Sequence, residues 1–205
     1  MLAALDRQGV ERAIVCGISF GGLPAIRFAA TYPRRTAALV VASVPGPAFH
    51  LSARHELYTK APRLFGPLFF AESPFRLRAE LASAFPTLHS RWRFSWRQLA
   101  TFLRAPVSPS RMAARARLLA TTDIVADCAR IVAPTLVVTG ERELDRVVSV
   151  DGTLAYLKLI AGSRHAQITG TGHVGSITKP ETFASIVREF VEDAGRDKKD
   201  THDAA

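Results

Sequence analysis

The residues best suited to do chemistry in this 205-residue chain are one serine, one histidine and a short run of carboxylates. Gly17-Ile-Ser-Phe-Gly21 follows the pattern Gly-x-Ser-x-Gly, with a further glycine at Gly22. Taken alone the pattern is weak, since three common residues at fixed spacing recur by chance in roughly one in 25 chains of this length. Its setting is more specific. In front stands Ala13-Ile-Val-Cys16, a short β-branched run that reads as a buried parallel strand, and beyond Gly21 the apolar positions Leu23, Ile26 and Ala30 recur at helical spacing. A serine on the turn from strand to helix is held in a strained conformation with its Oγ exposed. Glycines are expected at 17 and 21 because a side chain at either would strike the strand or the helix at so sharp a bend. The helix also aims its N-terminal dipole and free N–H groups at the place where an oxyanion would develop.

A serine hydroxyl is a weak nucleophile until a base takes its proton and an acid orients that base. His173 lies in a loop of small residues, Gly170-Thr-Gly-His-Val-Gly175, directly after an expected strand. The other histidines lack that setting: His50, His55 and His89 fall in a helical stretch, His165 starts a strand and His202 is in the tail. The acid is sought in Gly140-Glu-Arg-Glu-Leu-Asp-Arg-Val-Val148. Asp145 is the first choice, because a short carboxylate just before an apolar pair is fixed by packing and still reaches a histidine. Glu143 and Glu141 are the alternatives, and only one of the three is expected to matter.

The elements that must position these residues follow from periodicity. The first helix ends at Tyr32-Pro33 and a second strand covers Ala38-Leu-Val-Val-Ala42, which makes one βαβ unit. From residue 49 to 127 the pattern changes to short helical stretches broken at Pro62, Pro67, Pro74, Pro86, Pro106 and Pro109. A third strand is expected at Thr135-Leu-Val-Val-Thr139, a helix over Leu154 to Ile160, a weak fourth strand at His165-Ala-Gln-Ile168 and a last helix from Phe183 to Val191. Residues 1–48 and 128–194 thus read as one core, 49–127 as a helical insertion, and 195–205 as a disordered tail of low apolar content.

The composition, 48% hydrophobic and 22% charged, is that of an ordinary globular domain, with or without an insertion. Cys16 and Cys128 are far apart and have no metal-ligand spacing, so neither a disulfide framework nor a metal site is expected, and a reduced, cytoplasmic setting fits best. No run approaches the roughly 18 apolar residues of a membrane span, and no signal peptide is evident. The net charge of +9 is unevenly spread. Between His50 and Ala120 there are 12 Lys or Arg against three acids, Glu56, Glu72 and Glu80, and the rest of the chain balances. That segment also holds both tryptophans and seven of the 12 phenylalanines. It carries no nucleic-acid-binding motif, so a solvated basic surface is the expectation and nucleic acid is not an expected partner.

The order serine, acid, histidine, together with Gly17-Ile-Ser-Phe-Gly-Gly22, Ala133-Pro-Thr-Leu-Val-Val-Thr-Gly140 and Gly172-His173, resembles the C-terminal part of the α/β-hydrolases. The likeness runs from Leu5 to Val191. It implies a partial α/β fold: a mostly parallel sheet flanked by helices, with the insertion as a helical cap. It also implies Ser19 as nucleophile, Asp145 and His173 as its partners, Gly17 and Gly21 as the elbow glycines, and Phe20 as an oxyanion donor through its N–H. No cofactor is implied, and the substrate is a small acyl compound. An aromatic cap with Phe65, Phe69, Phe70, Phe75, Trp92, Phe94, Trp96 and Phe102 suggests an apolar acyl or alkyl pocket. Serine at the elbow separates the chain from the family's dehalogenases and epoxide hydrolases, which resemble it but use an aspartate. Members of the family place a hairpin and two strands before the nucleophile strand, roughly 70 to 100 residues that are not seen here. The chain therefore reads as part of a longer protein, and the nucleophile strand is expected to have one bare edge through which chains associate.

Overall fold

Three largely apolar segments and a fourth, polar one form the strands of one sheet in a computed structural model, which describes the backbone of residues 1–203 and the side chains of residues 1–196. In chain order the elements are α1 (Leu2–Arg7), β1 (Ala13–Ile18), α2 (Gly22–Thr31), β2 (Thr36–Ala42), α3 (Ala53–Lys60), α4 (Pro62–Ala84), α5 (Leu88–Arg104), α6 (Pro109–Thr121), α7 (Val125–Cys128), β3 (Thr135–Thr139), α8 (Val150–Leu154), α9 (Tyr156–Leu159), β4 (Arg164–Gln167), α10 (Gly175–Thr178) and α11 (Pro180–Asp203). The sheet order is β1-β2-β3-β4 and every pairing is parallel. Register follows the apolar runs, with Val15 opposite Leu39 and Val41 opposite Val137.

Side chains alternate between the two faces of a strand, so β2 feeds two cores. Leu39 and Val41 join Val15, Ile26, Phe28, Val137, Tyr156 and Ile160 on one side, where α2 and α9 pack. Ala38, Val40 and Ala42 join Leu136, Val138, Ile168 and Phe190 on the other, under α11. The strand β1 is different. Among the described residues it pairs with β2 alone, so its outer edge is bare there, and Ile14 and Ile18 on its second face are 45% and 41% exposed.

Three expectations need correction. Pro67 and Pro74 do not break the insertion: both lie inside the 23-residue helix α4. A proline there supplies no N–H to the ladder. One residue before the Phe70 carbonyl that Pro74 leaves without its usual donor, the Phe69 carbonyl accepts from Ser73 Oγ and Arg76 Nη2. The segment 154–160 is not one helix but two, α8 and α9, meeting at Ala155. Their position is fixed by Thr153 Oγ1 and Tyr156 Oη, which donate to the carbonyls of Val44 and Pro45 at 2.8 and 2.7 Å. The last helix does not stop at Val191. It runs to Asp203, while the side chains of residues 197–205, most of the stretch read as a disordered tail, lie outside the described residues.

Candidate active site

Strand β1 delivers Ser19 at its C-terminal end, where the backbone turns into α2. Ser19 has φ of +52°, a left-handed conformation that is rare for a residue with a side chain. The close turn explains the glycines, though not as a pair at 17 and 21. A Cβ on Gly17 would lie 2.5 Å from the Gly21 carbonyl oxygen, and one on Gly22 would lie 2.2 Å from Val44 Cγ2. At Gly21 a Cβ would meet nothing within 4 Å. The steric demand placed on Gly21 by the sequence therefore belongs to Gly22, which α2 presses against the end of β2.

The loop after β4 carries His173, and its Nε2 lies 3.0 Å from Ser19 Oγ across 154 residues of sequence. The loop after β3 carries Asp145, whose side chain is 2% exposed. Its Oδ1 accepts from the N–H groups of Val147 and Val148 at 3.0 and 2.8 Å, which fixes the carboxylate without help from the histidine. Its Oδ2 faces His173 Nδ1 at 3.6 Å, within ion-pair range but too long for a hydrogen bond, and Nδ1 is buried with no other partner. The structure thus brings Ser19, His173 and Asp145 into one line.

The two rival carboxylates lie elsewhere. Glu141 Oε1 accepts from the Gly170 N–H at 2.7 Å, and the Glu141 N–H donates to the Thr171 carbonyl at 2.7 Å. Glu143 is exposed. Backbone contact between the acid and base loops is close: a Cβ on Gly140 would fall 2.4 Å from the Gly172 oxygen, and one on Gly172 would fall 2.5 Å from the Leu144 oxygen. Among the other histidines, His165 Nε2 sits 2.9 Å from Thr139 Oγ1 within the sheet, and His55 lies against Tyr58 and Phe69. Both cysteines are free, and burial raises both thiols, Cys128 to about 12. Neither is a ready thiolate nucleophile. Among the described residues no cluster of His, Cys, Asp or Glu is placed to hold a metal, and no helix is long and apolar enough to cross a membrane.

Sequence reasoning missed Glu80. This residue of α4 is fully buried, and both its oxygens accept from the Val174 N–H, at 3.0 and 3.2 Å. It therefore ties the helical insertion to the loop that carries His173. Burial pushes its carboxyl above the ordinary range and nearby Asp145 adds to the push, while the N–H groups of Gly172 and Val174 and the neighbouring His173 oppose it. No local pattern marks it, since its partner is 94 residues away.

Above Ser19 and Phe20 opens a cavity of about 420 Å³, walled by Phe49 and by residues of α3, α4 and α6 that include Tyr58, Phe69 and Met112. Phe20 lines it directly beside Ser19, with the Arg115 guanidinium 5.6 Å from the centre of its ring.

Comparison with known proteins agrees with this architecture. The chain is similar to the crystal structure of a hydrolase from Pseudomonas aeruginosa, with a TM-score of 0.72, 26% identity, and coverage of 93% of this chain and 68% of that one. It is similar in fold to the enol-lactonase from Burkholderia xenovorans, with a TM-score of 0.69, 19% identity, and coverage of 93% and 70%. A homoserine O-acetyltransferase from Thermus thermophilus is 46% identical over 57 residues, which are 28% of this chain and only 13% of that enzyme. The model of the alpha/beta hydrolase family matches residues 1–186, a span that takes in all four strands and the loops bearing Ser19, Asp145 and His173. On that match the chain belongs to the alpha/beta hydrolase family.

Proposed function

We propose that the chain carries the machinery of a serine hydrolase acting on an ester or other acyl substrate, with Ser19 as nucleophile, His173 as base and Asp145 as the acid that orients it. The observation that carries this reading is the 3.0 Å contact between Ser19 Oγ and His173 Nε2, on a turn that holds the hydroxyl outward. The reaction runs in two halves. Ser19 Oγ bonds to the substrate carbonyl carbon as its proton passes to His173 Nε2, and the oxyanion is met by the N–H of Phe20 at the head of α2. The carbon–oxygen bond to the leaving alcohol then breaks, the alcohol taking the proton from His173. Water, deprotonated by the same imidazole, releases the acid and restores Ser19. In this reading helices α3 to α6 are the cap, and the cavity beneath them receives the acyl group.

One observation favours a second outcome for the same acyl-enzyme. The stretch similar to homoserine O-acetyltransferase supports delivery of the acyl group to an acceptor hydroxyl instead of to water. Both outcomes pass through acylated Ser19. A fluorophosphonate probe is expected to label Ser19, and Ser19→Ala to abolish the labelling together with release of p-nitrophenol from a short ester. Labelling at another serine, read by peptide mass, would refute the assignment. Faster release on adding an alcohol such as homoserine, with a new ester formed, would mark transfer over hydrolysis.

A further inference from the structure

The basic excess of the insertion is left unexplained by ester chemistry alone, and the cavity over Ser19 shows where part of it is directed. Arg76 of α4, Arg115 of α6 and Arg146, the residue after Asp145, all line this cavity, and no Asp or Glu does. Among the described residues Arg115 and Arg146 have no carboxylate partner. Arg76 does reach Glu72, at 3.3 Å, but Glu72 is shared with Arg54, so two cations there face one anion. His55, which also lines the cavity, has its pKa held below the ordinary value, first by burial and then by Arg76 and Arg54. The three arginines come from three separate segments and converge on one apolar space that begins at the nucleophile.

Arg115 and Arg146 stand exposed at the mouth of this apolar cavity, and the planar fork of a guanidinium matches a carboxylate through two hydrogen bonds. A cleft with cations and low-dielectric walls also concentrates anions before they bind. We propose that the substrate itself is anionic: an ester or lactone whose short apolar acyl chain ends in a carboxylate, with Arg115 and Arg146 as the groups that pair with it. This inference rests on the serine-hydrolase reading for the place of the ester bond, but the anion site stands on the arginines alone. The size agrees, since a cavity of about 420 Å³ lies at the small end of the range for small-molecule sites, about 300 to 1,000 Å³.

The test compares monomethyl glutarate with its neutral counterpart dimethyl glutarate. Binding is measured by calorimetry on the Ser19→Ala chain, so that turnover does not intrude, at low and at high salt. The monoester is expected to bind about tenfold tighter at low salt, with the preference shrinking as salt screens the arginines. In the chain that also carries Arg115→Gln and Arg146→Gln, the ratio is expected to fall to about twofold or less. Equal affinity for the two esters, binding of neither, or a preference untouched by the double substitution would overturn the proposal. The underlying reading has its own readout, Ser19-dependent release of p-nitrophenol by the unsubstituted chain. Loss of that dependence with selective binding intact would remove the serine chemistry and leave the anion site, and the converse result would remove only the anion site.

Discussion

At the scale of single residues, the proposed chemistry depends on a few backbone atoms that hold side chains in place. Asp145 is held by two N–H groups of its own loop, so its orientation survives without His173, whereas His173 Nδ1 has only Asp145 to face. Asp145→Asn is therefore expected to lower kcat by about 10⁴-fold, as loss of the orienting acid does in other triads, while Glu143→Gln leaves it unchanged within about twofold. Steady-state kinetics on a p-nitrophenyl ester decide between them, and the reverse pattern would make Glu143 the acid. The glycines of the turn give a second prediction. Gly17→Ala and Gly22→Ala force a Cβ into occupied space and are expected to destabilise by about 1 to 3 kcal/mol or more, as overpacking does. Gly21→Ala meets open space and is expected to be neutral or to stabilise by up to about 1 kcal/mol through the unfolded chain. Urea midpoints measure all three. Ser19 and His173 were legible in the sequence because a short motif between a strand and a helix, and a histidine among glycines after a strand, are local signals. That Gly22 and not Gly21 carries the steric load was not legible, because it depends on Val44 arriving from the segment that follows the next strand.

At the scale of elements, the strands were readable and the helices less so. A β-branched run such as Thr135–Thr139 has one way to be buried on both faces, and its bounds come out as expected. Pro67 and Pro74 read as breaks in the sequence yet lie inside α4, since a proline's local preference against the helix interior can be overridden by the packing of the whole element. The element that joins insertion and core is Glu80, and it carries a pH dependence with a definite sign. Its carboxyl is raised in the folded state, so the folded protein holds that proton more tightly than the unfolded chain does. The stabilisation is complete below the ordinary glutamate value of about 4.5 and is lost as pH rises through the raised value. Glu80→Gln removes this loss. Relative to the parent, the Gln variant is expected to gain in melting temperature between pH 5 and pH 8, and thermal unfolding followed across that range tests it. A constant difference between the two proteins over the whole range would show that Glu80 enters the fold already ionised.

At the scale of the whole molecule, the sheet is open at β1: among the described residues its outer edge has no partner strand, and Ile14 and Ile18 stand exposed on one face. An unpaired apolar edge offers its N–H and C=O groups to any other strand. Expressed as these 205 residues, the chain is expected to self-associate with rising concentration, and Ile14→Lys, which places a charge on that strand, to shift it towards the monomer. Sedimentation at several concentrations settles this, and a monomer throughout would mean that β1 is shielded in solution. The opposite end of the sheet behaves differently. There the acid loop and the base loop touch through main-chain atoms, Gly140 against the Gly172 carbonyl and Gly172 against that of Leu144. The distance from Asp145 to His173 is consequently a property of two backbones, indifferent to what Arg142 or Glu143 becomes. Over evolutionary time such loops are free to drift in sequence but can be exchanged between relatives only together, because one loop transplanted alone would bring a side chain into space that its former neighbour had left for a glycine.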